Sequence, residues 1–173
     1  NANRATIRVL ARNGWRVVVP RTQRCCGALA AHHGRLDTAR TLAERNVRAF
    51  AEADVVVVNA AGCGSHLKEL DELLGTEEAE TFSAKVRDVM EFLHDEGLAV
   101  SPSADADLEP VAYHDACHAL RAQKIKEQPR EILRMIPGVD IAEIPDGDVC
   151  CGAAGLYNVL EPEMSGELRR RKA

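Results

Sequence analysis

A Cys-Cys-Gly triplet occurs twice in this chain, at residues 25–27 and again at residues 150–152. Neighbouring cysteines do not readily form a disulfide with each other, because the bond needs a geometry that adjacent residues rarely reach. A single buried cysteine is common in a protein core, but a doubled pair followed by glycine is not something that packing requires. The repeated triplet therefore predicts a chemical role for the cysteines, with glycine letting the backbone turn sharply after each pair.

The spacing of the six cysteines predicts two copies of one unit. Cys26 and Cys63 are separated by 36 residues, and Cys117 and Cys150 by 32. A template of Cys, gap, Cys-Cys-Gly, gap, Cys fits both halves if each copy lacks one outer cysteine. We expect residues 1–98 to form the first unit without its leading cysteine and residues 111–173 to form the second, truncated at its carboxyl end. Residues 99–110, which are small, polar and proline-bearing, are the predicted linker.

Short apolar runs alternate with amphipathic segments, which predicts an α/β fold of two repeated βα units with mostly parallel strands. Strands are predicted at residues 15–20, 54–60, 111–115 and 139–144, and helices at 4–13, 36–53, 77–94, 129–136 and 162–172. The cysteines follow predicted strands directly or within a few residues. We therefore expect them on loops at the carboxyl ends of the strands, where sites form in open α/β sheets.

Composition limits the class of function. The net charge of −5 and the lack of a basic stripe with aromatic residues argue against nucleic-acid binding. No apolar run approaches the roughly 20 residues that span a bilayer. Without a secretory signal, six cysteines are expected to bind metal or act chemically, and thiolates suit iron-sulfur clusters or zinc. The basic run Arg169–Lys172 is interpreted as a solvated helix end.

Several other polar residues lie near the cysteines. His114, Asp115 and His118 flank Cys117, and they are candidates for a ligand, a proton carrier or a group that orients the ligands. The alternative is that His114 and Asp115 only cap and orient the strand-to-helix turn. A nucleophilic Cys-His-Asp site is disfavoured, because the side chains of adjacent residues normally diverge. The pair His32 and His33 is expected at a helix end.

Four segments of the chain resemble the CCG cysteine-rich domain family, in the branch of the glycolate oxidase iron-sulfur subunits. The family is related to lactate utilisation proteins, anaerobic glycerol-3-phosphate dehydrogenase and heterodisulfide reductase. The segments are "CCGALAAHHG", "VVVNAAGCGSHLKE", "YHDACHALRAQ" and "CCGAAGLYN". The resemblance implies these cluster ligands: Cys25, Cys26 and Cys63 in the first unit, and Cys117, Cys150 and Cys151 in the second. In the reductase relatives a further cysteine stands where this chain has His66, so His66 and His118 are additional candidate metal ligands.

The resemblance also implies the partners and the cofactor. A flavin subunit would oxidise glycolate to glyoxylate, and this protein, an oxidoreductase component, would pass the electrons onward through [4Fe-4S] clusters. Three cysteines in each unit are fewer than the usual four, so this chain alone is expected to be inactive, either metal-free or zinc-bound. The protein is expected in the cytoplasm, or at the inner face of the membrane through its complex. The alternatives are a thiol/disulfide redox module like heterodisulfide reductase and a zinc-stabilised interaction domain.

Overall fold

Two short parallel sheets organise the part of the chain that the computed structural model describes, which is residues 2–103, 110–153 and 155–172. Strand β1 (Val56–Val58) pairs with β2 (Val86–Asp88), with Val56 opposite Val86. Strand β3 (Val111–Tyr113) pairs with β4 (Ile141–Glu143), with Val111 opposite Ile141. Parallel neighbours need a crossover connection, and helices supply it in both sheets. The predicted α/β class with parallel strands is confirmed.

Seven helices surround the first sheet within these residues. They are α1 (Ala2–Arg12), α2 (Ala28–His32), α3 (Leu36–Ala49), α4 (Ala61–Leu67), α5 (Leu70–Leu74), α6 (Glu77–Lys85) and α7 (Val89–Glu96). Local capping explains where two of them begin. The Thr76 side chain accepts a hydrogen bond from the Ala79 N–H at the start of α6. Asp88 and Glu91 form a reciprocal capping box at the start of α7.

The second half carries fewer elements. A single π-helical turn (His118–Ala122) follows β3 and is succeeded by α8 (Glu127–Arg134), α9 (Tyr157–Leu160) and α10 (Pro162–Lys172). Turns of π-helix are rare, and those that are found frequently lie at functional sites. The predicted last helix, residues 162–172, is confirmed with its bounds. Residues 104–109 of the predicted linker, residues 99–110, lie outside the described residues.

The strand predicted at residues 15–20 is wrong: this segment is irregular. Its apolar residues divide between two environments. Trp15 packs edge-on against Phe92 with ring centroids 4.9 Å apart, and Val17 packs against a hydrophobic core. Val18 and Val19 are 62% and 55% exposed. A valine-rich run becomes a strand only when a neighbouring strand pairs with it, and the described residues place none there.

The single helix predicted at residues 77–94 is also wrong. Strand β2 interrupts it, and the two parts are α6 and α7. Val86 is buried against β1, and Asp88 ends the strand by capping the helix that follows. The Asp-x-x-Glu pattern at residues 88–91 is the sequence signal that marks this boundary.

Two hydrophobic clusters form the core. The larger one joins α2, α3, α4, α5 and α6 to the first sheet, and it contains Cys26 and Phe82. The smaller one joins the halves of the chain, because Ile132 of α8 packs with Leu10, Phe92 and Leu93 from the first half. The first pair of cysteines therefore lies at the edge of the main core, and the second half is anchored beside it.

Candidate functional site

The first Cys-Cys-Gly corner is fixed by α3. Asn46 of that helix is buried, accepts a hydrogen bond from the Arg24 N–H at 2.8 Å and donates one to the Cys25 carbonyl at 3.0 Å. Gly27 has φ +94°, and a Cβ atom there would lie 3.4 Å from the Ala39 carbonyl oxygen. The left-handed backbone and the close approach to α3 both favour glycine. The corner is thus held from the backbone, which leaves the cysteine side chains available.

The second corner is fixed by α10 in a similar way. Ser165 is buried, and its hydroxyl donates a 2.8 Å hydrogen bond to the Gly152 carbonyl. Gly152 has φ +74°, and a Cβ atom there would lie only 2.6 Å from the Ser165 carbonyl oxygen. The Lys172 ammonium group donates to the carbonyls of Gly147 and Val149, just before the cysteines. The basic helix end is therefore only partly a solvated surface, and Lys172 has a positioning role that the sequence did not predict.

The two corners share one construction. In each, a glycine at positive φ packs against the backbone of the second helix after it, at Ala39 of α3 in the first unit and at Ser165 of α10 in the second. In each, a buried polar side chain of that helix hydrogen-bonds the corner backbone, Asn46 in one case and Ser165 in the other. The repeat predicted from the cysteine spacing is therefore also a repeat of backbone geometry.

Cys26 and Cys63 are brought together from turns 36 residues apart. Cys63 lies in the first turn of α4 and packs against the core cluster that contains Cys26. Burial is the main reason that the pKa of the Cys26 thiol is raised to about 12, and the hydrogen bond and charge of Cys63 act in the same direction. Cys26 is therefore held as a neutral thiol, which would lose its proton on binding a soft metal ion.

Cys117 lies next to the same helix, α4. It immediately precedes the π-helical turn, and its sulfur is 3.7 Å from Nδ1 of His118. The His118 ring faces Gly62, where a Cβ atom would lie 3.9 Å from Nδ1. Gln123 donates a 3.0 Å hydrogen bond to the Ala61 carbonyl. The turn that carries Cys117 therefore packs on the start of the helix that carries Cys63.

The two corners also approach each other, although not all of the candidate ligands converge. A Cβ atom on Gly155 would lie 3.1 Å from Cδ2 of Leu29, so the segments that follow the two cysteine pairs are in contact. All six cysteines are free thiols. Across residues 2–103, 110–153 and 155–172, no three His, Cys, Asp or Glu side chains gather closely enough to hold a metal ion. Closing a site would require side-chain rotation, which is a small change for cysteine.

Arg130 organises the strand ends of the second unit, a role that the sequence did not predict. It donates two hydrogen bonds to Asp115, at 2.9 and 2.8 Å, and two to Glu143, both at 2.8 Å. Its guanidinium carbon lies 5.0 Å from the centre of the Tyr113 ring. These hydrogen bonds from Arg130 hold the pKa of Asp115 below its usual range. Asp115 therefore orients the turn before Cys117.

Cys151 opens onto a cavity of about 260 Å³, lined also by His114, Ile144, Arg169 and Lys172. Cys150 lies on the exposed side of the corner, and its sulfur accepts a 3.4 Å hydrogen bond from the Gly152 N–H. The two cysteines of this pair therefore have different surroundings, one facing solvent and one facing a partly cationic cavity.

His66 lies on α4, one turn beyond Cys63. Burial lowers the pKa of its imidazole, and the charge of His32 lowers it further. Its Nε2 atom is buried and has no hydrogen-bond partner within the described part of the chain. His32 closes α2 and His33 follows it, as the sequence predicted.

Comparison with known protein families shows to which family the chain belongs. The profile of the CCG family, described as "Cysteine-rich domain", matches residues 1–68 and 111–173, which include all six cysteines. The chain belongs to the CCG cysteine-rich domain family. It is 38% identical over 170 residues to the "Probable glycolate oxidase iron-sulfur subunit" of Bacillus subtilis (strain 168), a match that covers 94% of this chain and 38% of the relative.

Other members of the CCG family are similar over the same length. The chain is 38% identical over 173 residues to a subunit of "Fumarate reductase (CoM/CoB)" from Methanothermobacter marburgensis, covering 98% of this chain and 33% of the relative. It is 31% identical over 170 residues to "Lactate utilization protein A" of Geobacillus kaustophilus, covering 95% and 71%. The chain thus spans well under half of the first two relatives. No solved structure matches it. No helix in the described residues is long and apolar enough to cross a bilayer.

Proposed function

We propose that this chain is the cysteine-rich, cluster-holding part of an iron-sulfur subunit that carries electrons in a glycolate oxidase complex. The observation that supports this best is the contact between the thiols of Cys26 and Cys63. Two turns far apart in sequence present sulfur atoms to one place, at a corner whose backbone is held by Asn46. Packing alone does not require two such thiols, whereas a soft inorganic centre does.

The ligands that we propose are the six cysteines. Cys25, Cys26 and Cys63 would serve the unit at residues 1–98, and Cys117, Cys150 and Cys151 the unit at residues 111–173, with 99–110 as the linker. His66 and His118 are the candidate nitrogen ligands. The donor set fits an iron-sulfur cluster of the [4Fe-4S] type, because thiolates are its usual ligands.

A bound cluster would supply reversible one-electron transfer, and the chain supplies position and surroundings. The side chains of Asn46 and Ser165 donate hydrogen bonds to the Cys25 and Gly152 carbonyls, so both corners are held through their backbone. Arg130 ties β3 to β4 through Asp115 and Glu143, which fixes the spacing of the strand ends that lead to Cys117 and Cys150. Removing supporting contacts of this kind typically lowers metal affinity tenfold to a hundredfold.

Glycolate is proposed as the substrate of the whole complex because the Bacillus subtilis relative bears that name. A flavin subunit would oxidise it to glyoxylate, and this protein would accept the electrons in the cytoplasm or at the inner face of the membrane. Lactate oxidation is the neighbouring alternative, given the similarity to lactate utilization proteins.

A second candidate is a thiol/disulfide redox module. The cavity beside Cys151 favours it, because a disulfide substrate would need space next to a cluster or a thiol. The relative named for fumarate reductase (CoM/CoB) points the same way. A zinc-stabilised interaction domain is the third alternative, in which the same cysteines would hold a metal without redox activity.

Anaerobic reconstitution separates these functions. The full-length subunit that contains this chain is incubated with ferrous iron and sulfide, and protein-bound iron, sulfide and visible absorption are measured before and after reduction. We expect cluster absorption that is bleached and restored reversibly, and bleaching by glycolate when the glycolate-oxidising flavin subunit is added. Bleaching by glycolate fails if the complex oxidises another hydroxy acid. Tight zinc with no bound sulfide would contradict the proposal and support the zinc-stabilised domain.

A further inference from the structure

We propose that the outer face of helix α1 is a docking surface for an acidic surface of a partner protein. Arg4, Arg8 and Arg12 form the centre of this surface, and we call them the arginine face. The inference deepens the proposed function, on which it rests for the identity of the partner, the flavin subunit.

The distribution of charge along the chain is the first argument. Residues 1–36 contain seven arginines and no Asp, Glu or Lys, although the whole chain has a net charge of −5. All seven arginines are exposed. Within the part of the chain that the structure describes, none of the seven forms an ion pair with a carboxylate. A patch of one sign attracts a partner that carries the opposite charge.

The orientation of α1 is the second argument. Leu10 of α1 is buried in the hydrophobic cluster that joins the halves of the chain. On the same side of the helix, Asn3 and Thr6 each accept a 3.1 Å hydrogen bond from the side-chain amide of Asn59. The residues of the arginine face are four positions apart, which aligns them in one row on the opposite side of α1. The row is therefore turned away from the rest of the molecule.

Folding alone does not favour such a row. Like charges four residues apart on a helix repel each other and destabilise the helix, and α1 contains no acidic residue that could offset them. Arg4 also lies in the first turn of α1, where the helix dipole disfavours a positive charge. Carboxylates of a partner would remove this repulsion, so binding explains the row better than folding does.

The chemistry of the arginine face favours protein carboxylates over a membrane or a nucleic acid. Arginine binds a carboxylate through two parallel hydrogen bonds and is enriched at protein interfaces, where lysine is depleted. A helix that lies in a membrane surface needs a free apolar face, whereas Leu10 of α1 is buried. Nucleic-acid grooves combine basic residues with aromatic rings that stack on bases. Trp15 is the one Phe, Tyr or Trp in residues 1–36, and it packs against Phe92.

The docking surface lies close to the candidate cluster site. Asn59, which is hydrogen-bonded to α1, stands between β1 and α4 and precedes Cys63 by four residues. A partner that covers the first turn of α1 would therefore lie beside the loop that leads to Cys63. This position suits electron transfer, since electrons pass between protein-bound centres only over short distances.

Binding to the purified glycolate-oxidising flavin subunit tests the inference. The full-length subunit that contains this chain is used, and surface plasmon resonance measures Kd at low and at high salt. We expect Arg8→Glu to weaken binding about tenfold at low salt, and wild-type binding to weaken as salt screens the exposed charges. Arg45→Glu is the matched control, because Arg45 is an exposed arginine on another helix, α3, and the change in charge is the same. It should leave Kd unchanged.

Urea unfolding of the same variants separates docking from folding. Arg8→Glu replaces two repulsive pairs on α1 by two attractive ones, so its urea midpoint should equal or exceed that of the wild type. A binding loss without a stability loss is what a docking residue predicts. A midpoint below that of the wild type would overturn the proposal, because Arg8 would then serve the fold.

The remaining outcomes distinguish this inference from the proposed function. Equal binding by the wild type and Arg8→Glu would overturn the inference and leave the proposed function standing. Binding that depends on Arg8, without bleaching of the cluster by glycolate, would sustain the inference and overturn the proposed function. If the wild type does not bind the flavin subunit, the inference is overturned. Binding to phosphatidylglycerol vesicles that is lost in Arg8→Glu would in that case assign the arginine face to a membrane.

Discussion

Replacing Gly152 by alanine tests the way in which α10 holds the second corner. The new Cβ atom would lie 2.6 Å from the Ser165 carbonyl oxygen and 2.9 Å from its hydroxyl oxygen. Real Cβ atoms do not come this close to backbone, so either the corner or α10 must move. The movement would also disturb the 2.8 Å hydrogen bond from the Ser165 hydroxyl to the Gly152 carbonyl.

The expected loss has two parts. Alanine at a φ of +74° costs about 1–2 kcal/mol relative to glycine, because the left-handed region disfavours a Cβ atom. Overpacking against a fixed backbone adds about 1–3 kcal/mol. Gly138 separates the two parts, since it has φ +79° and open space around its Cβ position. Gly138→Ala should show only the first part, and Gly27→Ala, with a 3.4 Å approach, should lie closer to Gly138→Ala than to Gly152→Ala.

Urea unfolding of the three variants measures these free energies. Circular dichroism follows the whole chain, and the fluorescence of Trp15, the single tryptophan, follows its contact with Phe92. Both signals should give the same order of stability. Suppose that Gly152→Ala and Gly138→Ala lower the free energy of unfolding by the same amount. Ser165 would then not be packed tightly against Gly152, and the account of the second unit would be wrong.

Three further predictions concern the residues that hold the site. Arg130→Met should lower the free energy of unfolding by about 3–5 kcal/mol, because it leaves the buried Asp115 carboxylate without its partner; a loss below 1 kcal/mol in urea unfolding would contradict this. The pKa of Asp115 is lower in the folded chain than in the unfolded chain. The Asp115 carboxylate therefore contributes fully to stability above the unfolded pKa of about 4, and this contribution is lost as the pH falls through the folded pKa. In a series of urea unfolding curves at different pH, Asp115→Asn should remove this loss of stability in acid. Asn46→Ala should cost about 1–3 kcal/mol, since it leaves the Arg24 N–H and the Cys25 carbonyl unpaired; unchanged urea stability and Co²⁺ affinity would show that Asn46 does not hold the corner.

The sequence predicts the elements whose signals are local. Strands β1, β3 and β4 were expected because short apolar runs stand between turn signals, and α10 because its bounds carry proline and basic residues. The segment at residues 15–20 has the same local signal and is not a strand, because pairing depends on a neighbour that the local sequence does not specify. Strand β2 was not predicted, because it is only three residues long and the helical spacing of apolar residues continues across it from α6 to α7.

The residues of the candidate site also differ in whether the sequence predicts them. The cysteines could be found from their repetition, whereas His66 became a candidate only through the resemblance to the reductase relatives. Arg130, Asn46 and Lys172 could not, since each acts through a contact with residues more than ten positions away. A charged or amide side chain in a helix is usually solvated, so the sequence carries no local sign that these three are pinned to the strand ends and corners.

Protein-bound sulfide after anaerobic reconstitution, compared between the single and double variants of Cys26 and Cys63, tests the central claim most directly. If both thiols serve one inorganic centre, Cys26→Ala, Cys63→Ala and the double variant should each lose the same amount of sulfide, since removing either ligand already breaks the centre. Losses that add up from the two single variants, or no loss in either, would mean that the thiols do not share a centre and would contradict the account.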